Sequence, residues 1–324
     1  MIDTGMFFDA LATCGIDFFA GVPDSLLKPF CAHISDHAPE HRHVIAANEG
    51  AAIALAAGHY LATGRPVLVY MQNSGLGNAV NPLVSLADPD VYGIPMLLLV
   101  GWRGEPGVKD EPQHFKQGAV TPALCDAIGM PYRILPGETE PAIASLKEMV
   151  RVAVEQNRPV ALIVRANSFA KYQAASRPAS SFTLNREATV ACIAESLPPD
   201  AAVVSTTGHI SRELFEYRAQ TGQGHGRDFL TVGAMGHASQ IALGIALARP
   251  ERPVVCLDGD GAALMHLGAL AIAGTSAARN FLHIVLNNGA HDSVGGQKTV
   301  GFDVDFVRIA AACGYRRPAR AESL

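Results

Sequence analysis

Residues 254–261 read VVCLDGDG and residues 284–289 read IVLNNG, and together these two stretches decide the fold. Each is an apolar run of strand type that ends in small polar residues, and the segment between them, rich in Ala, Leu and Gly, has helical character. A strand, a helix and a strand in this order predict two neighbouring parallel strands. Asp260 and Asn288 would then lie at the carboxyl ends of these strands, where open α/β sheets bind their ligands.

Asp260 and Asn288 offer the oxygen donors that a magnesium ion prefers. Mg²⁺ takes one or two oxygens from a protein and completes its shell with phosphate oxygens and water. Gly261 and Ala262 follow at the start of the predicted helix, where backbone N–H groups can point at a diphosphate. An ordinary strand-to-helix turn would also explain a lone Gly-Asp-Gly, so the prediction of a magnesium and diphosphate site depends on Asn288 as well.

The composition restricts the class of protein. Of the 324 residues, 49% are hydrophobic and 17% are charged, and the formal net charge is -5. These values predict two domains with large cores and argue against disorder and against a nucleic-acid partner. The N-terminus lacks the features of a secretory signal and the apolar runs are shorter than a membrane span, so no membrane partner is expected. Six cysteines without a CxxC pair are expected to be reduced core residues of a cytoplasmic protein.

Strands and helices are predicted to alternate in two halves of the chain. In the first half the strand candidates are Asp17–Ala20, Val44–Ala46, Pro66–Met71, Pro95–Val100, Tyr132–Ile134 and Pro159–Val164, and the helices include Ala51–Thr63 and Pro141–Gln156. In the second half the strand candidates are Ala202–Ser205, Val254–Leu257 and Phe281–Leu286, and the helices include Arg186–Ser196 and Ala238–Ala248. The predicted fold class is therefore α/β, with two doubly wound parallel-sheet domains and no middle domain.

Three segments make up the predicted domain organisation. The first domain is expected at residues 1–172, a polar linker at residues 173–184, and the second domain at residues 185–324. A sheet of this class would normally add another helix and strand after residue 316, so the second domain is expected to be truncated at the C-terminus.

The spacing of the two opening motifs resembles the signature of thiamine-diphosphate-dependent enzymes, in which Gly-Asp-Gly is followed after about 25 residues by Asn-Asn. Here 25 residues, 262–286, intervene. The resemblance implies that the first domain binds the aminopyrimidine end of thiamine diphosphate and the second domain its diphosphate. It further implies that Asp260, the side chain of Asn288 and the carbonyl of Ala290 bind Mg²⁺.

NEGAAIAL, at residues 48–55, is similar to the activating glutamate motif of the same family. A helix cap at Asn48 with an acidic residue in the first turn would explain Glu49 without any function. However, the helix is apolar or small on every face through Gly58, as in a buried helix, so the carboxyl is expected to be removed from water. The resemblance implies that Glu49 is catalytic and hydrogen-bonds N1′ of the aminopyrimidine. It also implies that Glu49 acts across the interface of a homodimer or a larger homo-oligomer.

Further cofactor contacts are implied by the resemblance. TVGAMGHA, at residues 231–238, is rich in glycine but is not GxGxxG, so a nicotinamide site is not supported. The family places a large apolar side chain where Met235 lies, and it holds the cofactor in a bent conformation; a plain core methionine is the alternative. Gly208 falls in the diphosphate-side loop, where a glycine permits close backbone approach. Gly259, Gly261 and Ala262 complete the predicted cofactor contacts.

Three polar loops follow strands of the first half, and they read GVPDS at residues 21–25, QNSGLGN at residues 72–78 and WRGEPGVKDEPQH at residues 102–114. They contain the catalytic candidates Asp24 and His114 and the substrate-binding candidates Ser25, Asn73, Arg103, Lys109 and Gln113. Turn chemistry alone would explain Asp24, and each cation alone would be a surface charge. As a set they offer cations and donors to a dianionic phosphonate, with His114 as a proton donor.

These loops, together with residues 287–297, resemble the family of phosphonopyruvate decarboxylases across essentially the whole chain. The resemblance implies a 3-substituted pyruvate as substrate and the non-oxidative decarboxylation of 3-phosphonopyruvate to phosphonoacetaldehyde and CO₂ in phosphonate biosynthesis. The sulfopyruvate decarboxylases share the motifs at residues 73–78, 211–214 and 295–297, so sulfopyruvate is the alternative substrate, and DEPQH at residues 110–114 favours the phosphonate.

Two other classes of protein remain as alternatives. A carboligase of the acetolactate synthase type uses the same cofactor but carries a middle domain, for which this chain has no room. A non-catalytic nucleotide-binding α/β protein would explain the strand ends and glycines but would need neither Glu49 nor Asn288.

Overall fold

The computed structural model describes residues 1–175 and 182–323. The chain divides into two compact units, Met1–Ser176 and Arg177–Leu324. Each unit is built around a parallel sheet with helices between its strands, so the predicted α/β class is confirmed. Residues 176–181 of the predicted linker lie outside the described residues.

The first unit contains one sheet of six parallel strands. The strands are β1 (Phe19–Gly21), β2 (His43–Ile45), β3 (Val67–Gln72), β4 (Met96–Gly101), β5 (Tyr132–Ile134) and β6 (Pro159–Val164). The helices are α1 (Thr4–Thr13), α2 (Lys28–His37), α3 (Glu49–Thr63), α4 (Leu76–Pro82), α5 (Pro112–Ala127) and α6 (Thr139–Glu155). The strand order is β2-β1-β3-β4-β6-β5, so the direction of winding reverses between β1 and β3. Ligands of such sheets bind outside the carboxyl ends of the strands at this reversal.

Strands β3 and β4 are apolar along nearly their whole length because helices cover both faces of the sheet. Successive side chains of a strand point to opposite faces. Leu68 and Tyr70 accordingly pack into a core with Phe7, while Val69 packs into a second core with Ile53. The buried sheet holds the strand-end loops in fixed positions.

The second unit contains a four-stranded parallel sheet in the order β10-β9-β7-β8 and a separate antiparallel hairpin, β11-β12. The strands are β7 (Ala202–Ser205), β8 (Asp228–Leu230), β9 (Val254–Gly259), β10 (Phe281–Leu286), β11 (Ala290–His291) and β12 (Gln297–Lys298). The helices are α7 (Arg186–Ser196), α8 (His209–Thr221), α9 (Ala238–Ala248), α10 (Asp260–Met265), α11 (Gly268–Thr275) and α12 (Phe306–Ala312). Strands β9 and β10 are parallel neighbours, as predicted.

Two further observations concern the whole of the described chain. Among the described residues, no helix has both the length and the apolar character that crossing a membrane requires. All six cysteines are free thiols, and Cys31, Cys125 and Cys256 are buried.

Candidate functional site

Glu49 lies at the start of α3, beyond the carboxyl end of β2. The side chain of Asn48 accepts a hydrogen bond from the N–H of Ala51 at 2.9 Å, a cap of the kind that stabilises a helix by about 1 kcal/mol. Glu49 is only 6% exposed, and its Oε2 accepts a hydrogen bond of 2.8 Å from Nδ2 of Asn78. The fold therefore buries this carboxyl and fixes one of its oxygens.

Gly75 is the residue that allows the loop at residues 73–78 to pack onto Glu49. A β-carbon at position 75 would lie 2.6 Å from Cδ of Glu49, which is inside van der Waals contact. Gly77, in the first turn of α4, has no atom within 4 Å of the corresponding position. The glycine at position 75 thus sets the place of the Glu49 carboxyl.

We expect Gly75→Ala to lower kcat by about 10²-fold, because displacement of a reacting group by about 1 Å has an effect of that size. The added methyl group would also destabilise the fold by about 1–3 kcal/mol through overpacking. Gly77→Ala is the matched control, and it should leave kcat unchanged. Steady-state kinetics and thermal unfolding of both variants test this, and equal kcat values for the two would contradict the packing argument.

Asp24 follows β1 and is completely buried. Its Oδ1 accepts a hydrogen bond of 2.7 Å from Nε2 of Gln72, and its Oδ2 accepts one of 3.0 Å from the N–H of Leu26. Burial raises the pKa of this carboxyl, and the two donors oppose the rise. Gly101, at the end of β4, has no side chain, and Oδ2 of Asp24 lies where a β-carbon at position 101 would clash with it. Asp24 is therefore a rigidly held carboxyl with a raised tendency to keep its proton.

Arg103 and Ser25, both predicted substrate-binding residues, meet beyond β4 and β1. Nη1 of Arg103 donates to Oγ of Ser25 at 3.0 Å, and Nε donates to Oδ2 of Asp110 at 2.9 Å. The N–H of Gly104 donates to the same carboxylate at 2.7 Å. The Arg103 guanidinium holds the pKa of Asp110 well below its usual range. Asp110, which was not among the predicted site residues, folds the loop back so that the guanidinium stays at the strand ends.

Asn73 is a predicted substrate-binding residue whose side chain is bonded within the chain. It is 1% exposed, and its Nδ2 donates to the carbonyl of Arg103 at 2.8 Å and to Oγ1 of Thr121 at 2.9 Å. Its Oδ1 accepts the N–H of Arg103 at 3.2 Å. Both polar atoms of this amide are used within the chain, so Asn73 anchors the backbone of Arg103.

The other predicted residues of this loop differ in exposure. His114 is half-buried, and burial together with the positive charge of Arg103 lowers its pKa, so the imidazole is mainly neutral at neutral pH. Gln113 is half-buried, whereas Lys109 is exposed. Of the predicted cations, the structure therefore fixes Arg103 most firmly.

We expect Arg103→Lys to raise KM for an anionic substrate by about tenfold or more. An ammonium cannot bond Asp110 and Ser25 at the same time in the fixed planar geometry of a guanidinium. Cofactor affinity should not change. Arg133→Lys is the control, since Arg133 also pairs with a carboxylate, that of Glu148, but in an exposed position. An unchanged KM for Arg103→Lys would show that this guanidinium does not contact substrate.

In the second unit, Asp260 begins α10 at the end of β9 and is 2% exposed. Its Oδ2 accepts a hydrogen bond from Oγ1 of Thr299, and the backbone N–H groups of Asn288 and Gly261 also stabilise the carboxylate. Burial raises the pKa of this group in spite of these donors. A buried carboxylate in this position is suited to a cation, whose charge would offset the cost of burial.

The two asparagines after β10 have different partners. Oδ1 of Asn288 accepts a hydrogen bond from the N–H of Ala290 at 3.1 Å. Nδ2 of Asn287 donates to the carbonyl of Gly301 at 2.6 Å. A β-carbon at position 301 would lie 2.5 Å from Oδ2 of Asp260 and 2.6 Å from Oδ1 of Asn287. Asn287, which was not predicted, thus has its side-chain oxygen close to the Asp260 carboxylate.

The remaining predicted cofactor residues lie around the hairpin β11-β12. Cε of Met235 and Cε1 of His291 lie 3.5 Å and 2.9 Å from the position of a β-carbon on Gly261. Gly208 has φ +100° at the start of α8, and Ser293 lies 3.3 Å from its β-carbon position. Ala262 is buried directly after Gly261, and Ala290 lies in β11. The structure therefore brings Met235 and the hairpin to the loops that carry the predicted diphosphate contacts.

Thr299 and Asn78 are further site residues that the sequence analysis missed. Each bonds a predicted carboxylate from a position far along the chain, 39 residues from Asp260 and 29 residues from Glu49. Thr299 belongs to no periodic pattern and to no motif, and Asn78 is the last residue of the motif at residues 73–78 but was not singled out there. The one sequence signal was the presence of Asn78 in the polar loop that follows β3.

Comparison with known proteins adds evidence of a different kind. The family model for the N-terminal TPP binding domain of thiamine pyrophosphate enzymes matches residues 4–127, and the model for the C-terminal TPP binding domain matches residues 206–324. Phosphonopyruvate decarboxylase of Streptomyces viridochromogenes is 40% identical, with 100% of this chain and 83% of that protein aligned. The enzyme of the same name from Streptomyces hygroscopicus is 40% identical over 98% of this chain and 80% of that protein. Sulfopyruvate decarboxylase of Methanosarcina acetivorans is 31% identical over 95% of this chain and 82% of that protein.

Proposed function

Because the chain belongs to the thiamine pyrophosphate enzyme family, as a decarboxylase that uses thiamine diphosphate, we propose that its reaction is the non-oxidative decarboxylation of 3-phosphonopyruvate to phosphonoacetaldehyde and CO₂. One observation of the structure carries the proposal: the Arg103 guanidinium is held beside Ser25 at the strand ends of the unit that also buries Glu49. A phosphonate dianion needs such a cation with hydroxyl donors next to it.

The residues of the second unit fit a diphosphate and a magnesium ion. A buried carboxylate at a strand end, Asp260, is the type of oxygen ligand that Mg²⁺ takes in proteins. We propose that Asp260, the side chain of Asn288 and the carbonyl of Ala290 hold the ion; Oδ1 of Asn288 has a second lone pair besides the one that accepts the N–H of Ala290. Gly208, Gly259, Gly261 and Ala262 would border the diphosphate, and Met235 would support the bent cofactor.

When bound, thiamine diphosphate supplies a thiazolium that accepts the electron pair released as CO₂ leaves. Glu49 would hold a proton against N1′ of the aminopyrimidine, in the position that Asn78 and Gly75 fix. Arg103 and Ser25 would bind the phosphonate, with Lys109 and Gln113 as further candidates from the same loop. Asp24, whose pKa burial raises, is one candidate for proton delivery to the carbon that loses CO₂. His114 is the other candidate, and as a neutral imidazole it would donate from one ring nitrogen while the other accepts a proton.

A CO₂-release assay tests the substrate. With thiamine diphosphate and Mg²⁺ present, phosphonopyruvate, sulfopyruvate and pyruvate are compared at equal concentration. We expect the highest kcat/KM for phosphonopyruvate. A clear preference for sulfopyruvate would replace the proposed substrate with the alternative that the 31% identical relative represents.

We propose that the enzyme works as a homodimer or larger homo-oligomer. We also propose a cytoplasmic location, because all six cysteines are unpaired. Glu49 of one subunit would then serve the diphosphate unit of another. Mixing Glu49→Gln and Asp260→Ala subunits tests this. Random exchange makes half of the dimers mixed, and each mixed dimer has one site with both Glu49 and Asp260 and one site with neither. Recovery of about a quarter of wild-type activity is expected, and no recovery after verified exchange of subunits would contradict shared sites.

A further inference from the structure

Gln297, in β12, has a buried side chain whose polar groups are not satisfied by the protein. The residue is 2% exposed, and neither Oε1 nor Nε2 has a hydrogen-bond partner among the described residues. Burying an amide without partners is costly, and native proteins keep such groups rarely. A ligand that satisfies the amide when it binds would explain why the glutamine is there.

The position of Gln297 shows where such a ligand would lie. Gln297 pairs with His291 across the hairpin, and Cε1 of His291 lies 2.9 Å from the β-carbon position of Gly261. Thr299, two residues after Gln297, is bonded through its N–H to the carbonyl of Gly289 and through its hydroxyl to Asp260. Side chains at positions i and i+2 of an extended segment share a face, as do cross-strand partners. The amide therefore lies on the hairpin face that meets Asp260 and Gly261.

The local sequence makes room for this amide. A β-carbon on Gly295 would lie 2.6 Å from Oε1 and 2.8 Å from Nε2 of Gln297, so any other residue at position 295 would displace the side chain. Gly295 also has φ +157° and Gly296 has φ +75°, a backbone path that favours glycine. The Gly-Gly-Gln run thus holds a glutamine amide in one place while leaving it without a partner.

We propose that Gln297 is a further ligand-binding residue whose Nε2 donates a hydrogen bond to a phosphorus oxyanion next to Asp260. The inference rests on the proposed function, which brings two such groups to the protein, the diphosphate of the cofactor and the phosphonate of the substrate. Contact of the hairpin with Asp260 and Gly261 favours the diphosphate.

Calorimetric titration of the full-length protein tests the proposal, with thiamine diphosphate plus Mg²⁺ and, separately, magnesium pyrophosphate as probes. Gln297→Leu replaces the amide with an apolar group of similar volume, and Gln297→Glu keeps the shape but adds a negative charge. We expect Kd for both probes to rise by about tenfold in Gln297→Leu and further in Gln297→Glu, through loss of a charge-assisted hydrogen bond and then repulsion. Val300→Ala, a change at an exposed residue of the same segment, is the control and should bind as wild type does.

The melting temperature of the ligand-free protein separates ligand binding from a structural role. Replacing an unpartnered buried amide by leucine should leave this temperature unchanged or raise it. An unchanged Kd with a raised KM for phosphonopyruvate would support the proposal with the substrate as the source of the oxyanion. Wild-type values of Kd and KM in both variants would overturn it, as would a lowered melting temperature of ligand-free Gln297→Leu with wild-type binding. If wild-type protein bound neither probe, the proposed function would fail and this inference with it.

Discussion

Replacement of Glu49 by glutamine is expected to lower kcat by about 10²- to 10⁴-fold, the range that removal of a positioned acid–base group produces. Glutamine keeps the size of the side chain and can still accept a hydrogen bond from Asn78, so the loop at residues 73–78 should stay in place. The variant loses only the ability to exchange a proton with the aminopyrimidine. Thiamine diphosphate affinity, measured by calorimetry, should therefore remain close to that of the wild type.

Glu140→Gln is the matched control for Glu49→Gln. Glu140 also lies in the first turn of a helix, α6, but it is exposed. Single-turnover and steady-state rates of both variants should show a loss only for Glu49. If Glu49→Gln retained most of the wild-type kcat, the assignment of this residue as the cofactor's proton partner would be wrong.

Asp260→Ala should weaken Mg²⁺-dependent binding of thiamine diphosphate by at least about 10²-fold, because even outer-shell partners of a metal ligand are worth 10- to 100-fold in affinity. The ligand-free protein should not be destabilised strongly, since the change removes a carboxylate whose charged form burial disfavours. Asp260→Asn should also bind weakly although the amide can still accept a hydrogen bond from Thr299. Titration of Mg²⁺ at a fixed cofactor concentration measures both effects.

Asp200→Ala controls for the loss of a carboxylate from the same unit, because Asp200 is exposed in the turn that precedes β7. It should leave the Mg²⁺ requirement unchanged. Wild-type affinity in Asp260→Ala would place the ion elsewhere and would remove the main support for the diphosphate site.

Much of the fold could be predicted because its sheets are parallel and covered on both faces. Buried parallel strands are continuous apolar runs, and the observed β6 (Pro159–Val164), buried at every position, agrees with the predicted range at both ends. The helix Arg186–Ser196 also agrees at both ends, because Asn185 caps it and Pro198 follows it closely. Helix α6 begins at Thr139, two residues before the predicted start at Pro141.

The elements that were missed depend on tertiary partners. Strand β8 starts at Asp228, a charged residue that is buried because Nε of Arg218 lies 2.8 Å from its Oδ2. No hydrophobic pattern marks such a strand. The strands of the hairpin β11-β12 have two residues each, too few for any periodicity to appear.

In the candidate site, too, some residues could be predicted from the local sequence and others depend on tertiary contacts. The motifs singled out Asp260 and Glu49 as candidates, since each lies at a strand or helix boundary that the apolar pattern defines. The side chains that hold these carboxylates, Thr299 and Asn78, are brought to them only by folding. Likewise, the Asn-Asn motif could not reveal that Asn288 bonds its own loop.

We propose that Asp260 binds a divalent ion that anchors thiamine diphosphate, and anomalous scattering from a crystal grown with Mn²⁺ and thiamine diphosphate would locate that ion. We expect one strong manganese peak in contact with the Asp260 carboxylate and with oxygens of the diphosphate. Cys256, Asp258 and His283, whose ligand atoms lie within 4.8 Å of one another, provide a competing position in the same unit. A peak at that cluster, or a bound cofactor with Asp260 still bonded to Thr299 and no ion beside it, would contradict the account.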